Sequence, residues 1–435
     1  MPAKGSSLES WLTYISGVHP REIELGLERT RRVAKRLGVA KPAALVVTVA
    51  GTNGKGSCVA TLEAILQQAG YKSGCYTSPH LRLFNERIRI DGRNVEDDLI
   101  VAAFESIDEA RQDETLSYFE FATLAGLLLF QQARIDVALL EVGLGGRLDA
   151  VNIVDADVAI ISSIAIDHRD WLGDDIESIA AEKAGIMRPK TPTVFGGVAV
   201  PQAITLRAQQ LDAPLLLRSR DFHGDEQAQD SLWRWRGIDT QGRPLDWPDL
   251  PLPKLMLSNV ATSLQALNLL PVTIEKAHIA AALAQLRLAG RFEQRQDIES
   301  GARIICDVAH NPEAMHQLAL RLQRYRADNP EGGRLAVVFA VMADKDVSGM
   351  ITALESCVDI WYIAQVDQAR SMAADVVAQT MKNVGINASS RHISQFDSAE
   401  SAYEAACEQA GLQDTVLVTG SFYTVAAVYA RSRAV

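Results

Sequence analysis

The sequence predicts an α/β protein: an N-terminal domain with a mainly parallel sheet and a phosphate-binding loop, followed by a second, C-terminal α/β domain. Short apolar runs typical of buried strands alternate with helical patterns, and this order is typical of parallel sheets covered by helices. A glycine-rich turn, Gly51-Thr52-Asn53-Gly54-Lys55-Gly56-Ser57, follows one such strand and precedes a helix. With 435 residues, 48% of them hydrophobic, the chain is long enough for two or three domains.

The first predicted domain alternates strands with helices. Periodic apolar residues predict a helix over 22–37, a helix over about 58–69 after the glycine-rich turn, and two helices within 97–132. A further helix is predicted from about 178 to 185. Buried or short strands are predicted at 45–50, 71–76, 87–90, 137–142, 158–164 and from 193.

Residues 215–255 differ from the rest because apolar and basic residues alternate in Leu232-Trp233-Arg234-Trp235-Arg236. This pattern predicts a small antiparallel sheet. Two helices should follow, over 257–270 and 274–286, and we interpret the region from Gly290 to Ser300 as a domain boundary. A new α/β series then predicts strands at 303–308, 335–341, 360–363 and 415–418, and helices over 313–325, 346–356, 371–383, 398–410 and at the C-terminus.

Composition narrows the class of protein. A formal charge of −11 and a pI near 5.3 argue against a general nucleic-acid binder. The five cysteines are scattered and odd in number, which is typical of a reduced intracellular protein. The first ten residues lack an apolar signal core, and no apolar stretch is long enough to cross a bilayer. We therefore expect a cytoplasmic protein with no membrane partner.

The glycine-rich turn predicts a site for a nucleoside triphosphate. Its glycines allow successive N–H groups to face one anion, the helix N-terminus adds partial positive charge, and Lys55 can reach the outer phosphates. Residues Thr52 to Ser57 are therefore candidate ATP contacts. The loop departs from the common P-loop because Gly56 follows the lysine and the hydroxyl comes one residue later. The alternative is a plain strand-to-helix connection with three glycines.

A second glycine turn, Gly143-Leu144-Gly145-Gly146-Arg147-Leu148, also follows a strand. It could belong to a dinucleotide fingerprint. However, the third glycine of that fingerprint falls on Leu148, and no acidic residue ends a following strand at the expected distance. The pattern therefore disfavours a nicotinamide enzyme.

Polar residues follow the buried strands, where ligands of open α/β sheets bind. Glu141 ends one strand and could hold Mg²⁺; the alternative is a solvated glutamate. His168 follows another strand, where it could be a ligand or a structural histidine. Ser78 follows the strand at 71–76 and offers the hydroxyl that the loop lacks. The local pattern alone predicts that Lys183 is an ordinary exposed helix lysine.

Taken together, these segments resemble the Mur ligase superfamily and, within it, the folylpolyglutamate synthase group. The matching stretches run in order along nearly the whole chain, and an ordered set of this kind is specific. They are 25–29, 49–57, 77–81, 118–120, 141–152, 167–168, 182–186, 290–292, 307–312, 344–346 and 419–422.

The resemblance implies an ATP-binding domain over residues 1–289 and a Rossmann-like glutamate ligase domain over 290–435, with ATP and substrates in a cleft between them. It implies two magnesium sites, one with Ser78 and Glu141 and one with His168 and a carbamylated Lys183. The resemblance implies that Lys55, Glu141, His168 and Lys183 are the catalytic residues.

The resemblance also implies contacts to both substrates. Asn259, Arg291 and Asp307 match positions that contact ATP, whereas Phe119, Arg147 and Asn152 match the region that receives the pterin substrate.

The implied reaction is ATP-dependent ligation of L-glutamate to dihydropteroate and to folate glutamate tails, through an acyl phosphate. The expected partners are these small molecules, and the chain is expected to be a monomer. Two alternatives are a folate ligase with polyglutamylation activity alone and a nucleotide-operated ATPase switch. A cell-wall Mur ligase is disfavoured, because the stretches at 25–29 and 118–120 resemble the folate group.

Overall fold

The computed structural model describes residues 2–3, 5–20, 24–227, 231–386 and 392–434. The chain divides into two compact units, Met1–Leu286 and Arg287–Val435. Each unit contains a mainly parallel sheet accompanied by helices. The predicted α/β class is confirmed, while the roles predicted for residues 1–289 and 290–435 stay predictions.

The first unit alternates helices with strands. Its described helices are α1 (Leu8–Val18), α2 (Glu28–Leu37), α3 (Lys55–Gln68), α4 (Asp97–Arg111), α5 (Tyr118–Ala133), α6 (Arg169–Leu172), α7 (Ile176–Lys183), α8 (Gln202–Leu211), α9 (Leu257–Leu267) and α10 (Lys276–Gln285). Its described strands are β1 (Leu45–Ala50), β2 (Ser73–Tyr76), β3 (Ile88–Ile90), β4 (Arg93–Asn94), β5 (Val137–Glu141), β6 (Val158–Ile161), β7 (Thr193–Phe195), β8 (Leu215–Leu217), β9 (His223–Glu226), β10 (Leu232–Ile238) and β11 (Pro244–Pro251).

Two helix starts predicted in the first unit were wrong, and in the second unit the helix predicted over 371–383 begins at Ala374. Of the helix predicted over 22–37, residues 22 and 23 lie outside the described residues, and α2 begins at Glu28. The helix predicted from about Cys58 begins at Lys55, because its first turn comes from the glycine-rich loop and carries no apolar periodicity. Lys55 therefore belongs to the first turn of α3.

Strand order places four strand ends side by side. Within the described residues the main sheet has eight strands in the order β4-β3-β2-β5-β1-β6-β7-β8. Adjacent strands pair parallel along β2-β5-β1-β6-β7-β8. Strands β3 and β4 extend the sheet beyond β2 with antiparallel pairing. Because parallel strands end at the same edge, the segments after β2, β5, β1 and β6 are neighbours there.

The predicted antiparallel excursion is confirmed as the three-stranded sheet β11-β10-β9. Trp233 and Trp235 are fully buried on one face of β10, and Trp235 Nε1 donates to the carbonyl of Ala261 on α9 across 3.1 Å. The small sheet therefore supports α9. Residues 215–217 do not belong to it, because β8 joins the main parallel sheet.

The second unit contains, in the described residues, a seven-stranded sheet in the order β16-β15-β14-β17-β13-β12-β18. These strands are β12 (Glu293–Asp297), β13 (Arg303–Cys306), β14 (Leu335–Phe339), β15 (Ile360–Ile363), β16 (His392–Gln395), β17 (Thr415–Thr419) and β18 (Ser432–Ala434). The described helices are α11 (Pro312–Asp328), α12 (Val347–Leu354), α13 (Ala374–Asn383), α14 (Ala399–Gln409) and α15 (Phe422–Tyr429).

The region interpreted as a boundary contains a strand that sequence reasoning missed. β12 pairs antiparallel with β13 and β18, so residues 293–297 belong to the second sheet. Its polar sequence, Glu-Gln-Arg-Gln-Asp, hid it, because pairing with neighbours rather than apolar alternation makes it a strand.

All five cysteines are free and buried, as expected for a chain without a disulfide framework. No helix in the described part of the chain is long and apolar enough to cross a membrane.

Candidate active site

The phosphate loop turns sharply between β1 and α3. Gly51 has φ +149° and Gly54 has φ +88°, a region that disfavours side chains. Space is also missing, because a Cβ on Gly51 would lie 1.9 Å from Ser162 Oγ and a Cβ on Gly54 would lie 2.5 Å from Asn259 Oδ1. Glycine is therefore required at both positions, and the loop runs directly against Ser162 and Asn259.

The segment after β6 fixes the loop. The backbone N–H of Thr52 donates to the carbonyl of Ser163 (2.9 Å), and its hydroxyl donates to the carbonyl of Ala165 (3.1 Å). The N–H of Asn53 donates to Ser163 Oγ (3.1 Å), and Ser162 Oγ donates to the carbonyl of Asn53 (2.6 Å). These bonds hold the loop backbone in one conformation before any ligand binds.

Lys55 lies at the mouth of this loop. Its ammonium group donates to the carbonyls of Gly51 (3.1 Å) and Thr52 (3.2 Å). Because residue 54 is glycine, α3 begins without a side-chain N-cap, and the N–H groups of its first turn form an anion-binding end. The hydroxyl-bearing Ser57 is buried in that turn. The arrangement suits a phosphate chain.

Ser78 and Glu141 come together at the neighbouring strand ends. Glu141 is the last residue of β5 and is 5% exposed. The backbone N–H of Ser78, which follows β2, donates to Glu141 Oε2 across 3.4 Å. No cluster of three or more His, Cys, Asp or Glu side chains suited to a metal ion exists in the described part of the chain. A cation here would need oxygen ligands from a bound substrate as well.

Lys183 is buried, which its exposed-looking helical pattern did not predict. It ends α7, is 4% exposed and donates from Nζ to the carbonyl of Gly51 across 3.1 Å. Burial, and then the charge of Lys55, lower the pKa of Lys183 to about 7, while Asp167 and Asp149 oppose the shift. A lysine of this kind carries a substantial fraction of neutral amine at neutral pH.

His168 and Asp167 form the turn that leads into α6. Asp167 is buried and its Oδ1 accepts from the backbone N–H of His168 across 2.8 Å. The His168 side chain is 42% exposed, with Nε2 4.0 Å from Asp167 Oδ2. His168 also has a left-handed backbone, with φ +52°. The imidazole is accessible to a ligand.

Phe119 lies in the first turn of α5 and faces the second glycine turn. Its ring centroid is 5.8 Å from that of Tyr76. A Cβ on Gly143 would lie 2.6 Å from Phe119 Cζ, so the ring packs directly on the backbone after β5. Phe119 is half-buried and therefore keeps part of its surface for a ligand.

Arg147 and Asn152 are held differently. Arg147 donates from Nε (3.0 Å) and Nη2 (2.7 Å) to Glu182 Oε1, and its side chain is 56% exposed. The Asn152 amide donates to the carbonyls of Arg147 and Gly185, both at 3.0 Å, and accepts from Arg188 Nη2 at 2.9 Å. Arg147 is thus available at the surface, whereas the buried amide of Asn152 joins two loops.

Asp149, which sequence reasoning missed, holds the backbone of the second glycine turn. Its carboxylate is buried and accepts from the backbone N–H groups of Gly143 (3.0 Å), Leu144 (2.9 Å) and Val151 (3.0 Å). Burial raises the pKa of Asp149 to about 6, although these N–H groups and Lys55 lower it. An aspartate placed shortly after a glycine turn is a signal for such side-chain capping.

The other candidate ATP residues belong to two places. Asn259 lies in the first turn of α9, against Gly54 of the loop. In the second unit, Asp307 follows β13 and accepts from the N–H of Phe292 (2.8 Å) and of Ala309 (2.9 Å). The Arg291 guanidinium lies 5.1 Å from the centre of the Phe422 ring. In the second unit, Asp307 thus bonds the backbone of the turn that carries Arg291.

Two family models match the chain. Residues 49–200 match the Mur ligase middle domain, and residues 290–422 match the Mur ligase glutamate ligase domain. The first range contains the phosphate loop, Glu141, His168 and Lys183, and the second contains Arg291 and Asp307.

The full-length relatives agree with these matches. A dihydrofolate synthase/folylpolyglutamate synthase of Escherichia coli is 44% identical over 427 residues, covering 98% of this chain and 96% of that protein. The Haemophilus influenzae counterpart is 38% identical, with 98% and 97% covered.

Among solved structures, E. coli FolC in complex with DHPP and ADP has a TM-score of 0.90 at 43% identity, covering 99% of this chain and 98% of that chain. A Yersinia pestis bifunctional folylpolyglutamate synthase/dihydrofolate synthase with AMPPNP and Mn has a TM-score of 0.89 at 42% identity, covering 99% of both chains. The predicted resemblance is confirmed: this chain belongs to the dihydrofolate synthase/folylpolyglutamate synthase family of Mur-type, ATP-dependent ligases.

Proposed function

We propose that this ligase joins L-glutamate to dihydropteroate, which makes dihydrofolate, and extends the glutamate tail of folates. One observation carries the proposal: the phosphate loop, Ser78, Glu141 and Lys183 meet at one edge of the main sheet. The relatives support both activities, because those 44% and 38% identical are named for both. A related structure holds Mn, AMPPNP and L-glutamate.

In this proposal residues Thr52 to Ser57 hold the ATP phosphates. Backbone N–H groups at the start of α3 face the anion, and Lys55 moves from its carbonyl partners to the outer phosphates. The pre-formed loop stabilises charge that develops during transfer without reorganising. Asn259, Arg291 and Asp307 are the proposed nucleotide contacts from later in the chain.

The residues at the neighbouring strand ends fit a divalent cation. Glu141 offers a carboxylate that is buried beside Ser78, and the Ser78 hydroxyl is a second oxygen donor of the kind that Mg²⁺ prefers. Two protein ligands completed by phosphate oxygens are usual for triphosphate sites. We propose Mg²⁺ here, and a related structure that contains Mn together with AMPPNP supports a divalent cation. When bound, the cation neutralises phosphate charge.

A second cation site would require that the Lys183 amine be converted to a carbamate. An ammonium group is no ligand for a hard cation, but a neutral amine can take up CO₂ and become an anionic carbamate. The reaction forms an N–C bond and releases one proton. The remaining N–H can still donate to the carbonyl of Gly51. His168, accessible at the adjacent strand end, would be the second ligand.

The chain's own groups then support two chemical steps. A substrate carboxylate oxygen attacks the γ-phosphorus, ADP leaves, and an acyl phosphate forms. The glutamate amine attacks the acyl carbon, phosphate leaves, the nitrogen loses a proton and an amide results. Lys55 lowers the repulsion between the two anions in the first step. Phe119, Arg147 and Asn152 are proposed to receive the pterin substrate.

One coupled ADP-release assay tests the function. We expect ADP release that requires L-glutamate together with either dihydropteroate or tetrahydrofolate. Glutamate-dependent release with tetrahydrofolate but not with dihydropteroate would restrict the enzyme to polyglutamylation. Release independent of glutamate would contradict the proposal and favour a nucleotide-operated switch. The monomeric state and the cytoplasmic location stay predictions.

A further inference from the structure

The turn that carries Arg291 in the second unit has an unusual backbone. Gly290 has φ +66° and Phe292 has φ +51°. A left-handed conformation is unremarkable for glycine but is an outlier for a bulky aromatic residue. Residues held in this region persist only when surrounding contacts impose the conformation, and they concentrate at ligand sites.

Asp307 imposes the backbone of this turn. Its Oδ2 accepts from the N–H of Phe292 across 2.8 Å, and its Oδ1 accepts from the N–H of Ala309 across 2.9 Å. The N–H of Val308 donates to the carbonyl of Gly290 across 2.9 Å. One carboxylate thus joins the turn to the end of β13.

A second contact holds the Phe292 ring. The guanidinium carbon of Arg321, on α11, lies 4.2 Å from the ring centre. Tyr325, one helical turn further on, meets the same ring edge-to-face with centroids 6.1 Å apart. At 4.2 Å, the Arg321 guanidinium lies well within the distance at which a cation is attracted to an aromatic face.

The charge of Arg321 also acts on the Asp307 carboxylate. Burial raises the pKa of Asp307, and the charge of Arg321 is the strongest influence that lowers it, ahead of Arg291. One guanidinium therefore supports both groups that shape the turn: the ring of Phe292 and the charge of Asp307.

We propose that Arg321 is a positioning residue for nucleotide binding. Through Phe292 and Asp307 it holds the left-handed turn that presents Arg291 against the ring of Phe422. The inference rests on the proposed role of Arg291 as an ATP contact. It adds a residue of α11 that does not itself need to touch the nucleotide.

The test uses the full-length enzyme with Arg321→Met, which removes the charge but keeps an apolar stem. We expect the Kd for ADP and the KM for ATP to rise roughly 5- to 30-fold, as loss of a half-buried cation–ring contact and of the favourable charge near Asp307 implies. The KM for L-glutamate and the kcat at saturating ATP should change less than about 2-fold. Arg321→Lys should restore part of the affinity, because it restores the charge.

Two further variants separate the possible outcomes. Arg324→Met removes an exposed positive charge from the same helix and should leave the Kd for ADP unchanged. Phe292→Leu should weaken ADP binding as Arg321→Met does. The double variant should bind ADP no more weakly than the single variant with the lower affinity, because both substitutions act through one turn. This pair also keeps the proposal testable if Arg321→Met is too unstable.

A lowered melting temperature in Arg321→Met or Phe292→Leu with an unchanged Kd for ADP would overturn the inference and leave a purely structural role. Arg291→Ala distinguishes failure of the underlying function. If Arg291→Ala binds ADP normally, the role of Arg291 and the inference both fail. If only Arg291→Ala weakens binding, the inference alone fails.

Discussion

Lys183 donates to the backbone carbonyl of Gly51 across 3.1 Å. The two residues are far apart in sequence, and the bond joins the end of α7 to the first glycine of the phosphate loop. The amine is buried beside a second cation, Lys55, which contributes to its lowered pKa. This position makes Lys183 part of the site, although its local sequence resembles that of a surface helix.

We expect Lys183 to take up CO₂ in a pH-dependent way. Because its pKa is lowered to about 7, the amine is mostly neutral at pH 8 and mostly protonated at pH 6, and only the neutral form reacts. A ¹³C NMR carbamate signal from labelled bicarbonate should be strong at pH 8, weak at pH 6 and absent in Lys183→Ala. Lys183→Ala should bind ATP but ligate poorly; full activity in this variant would refute the assignment.

Lys55→Ala should impair chemistry much more than folding. The lysine contacts only loop carbonyls among its described hydrogen bonds, so its removal opens no core. We expect kcat to fall on the order of 10² or more, with near-native melting. The exposed Lys41→Ala, just before β1, is a matched control that should keep full turnover. Turnover near normal in Lys55→Ala would mean that the loop is not the phosphate site.

Phe119→Ala should affect one substrate selectively. A flat pterin gains from contact with an aromatic ring beyond simple burial, so we expect the KM for dihydropteroate to rise roughly 2- to 13-fold. The KM for ATP should hardly change. Phe119→Leu keeps the packing against Gly143 and should show a smaller defect. Equal effects on both KM values would identify Phe119 as a core residue only.

Glu120 and Arg29 should dominate the stability of the N-terminal helices. The Glu120 side chain is 4% exposed and accepts from Arg29 Nε at 2.8 Å, from Thr30 Oγ1 at 2.6 Å and from the N–H of Ser117 at 2.8 Å. Glu120→Ala leaves Arg29 paired with Glu24 but removes the acceptor of the buried Thr30 hydroxyl and of the Ser117 N–H. The variant should therefore lose about 1–3 kcal/mol of unfolding free energy in urea.

Glu114→Ala provides the matched control for that experiment. Glu114 pairs with Arg32, whose side chain is 53% exposed, and an exposed pair contributes at most about 1 kcal/mol. Similar unfolding midpoints for Glu114→Ala and Glu120→Ala would contradict the proposed importance of the buried pair.

The sequence by itself determined the features that depend on local chain chemistry. Apolar runs identified most of the buried central strands of both sheets, and the glycines around Lys55 identified the phosphate loop. The ordered family segments identified the type of ligase. These features could be predicted because local residue order sets backbone conformation, and the carboxyl ends of parallel strands share one edge.

Only the tertiary structure decided which of those residues meet. The sheet order inserts β5 between β2 and β1, and this order brings Ser78 to Glu141. Whereas the glycine turn before Asp149 was a local signal that sequence reasoning did not use, burial of Lys183 arises from packing against the distant phosphate loop, so no local pattern could indicate it. The polar strand β12 was missed for the same reason. Pairing, burial and the pKa shifts that burial causes depend on neighbours in space, and those neighbours exist only after the chain has folded.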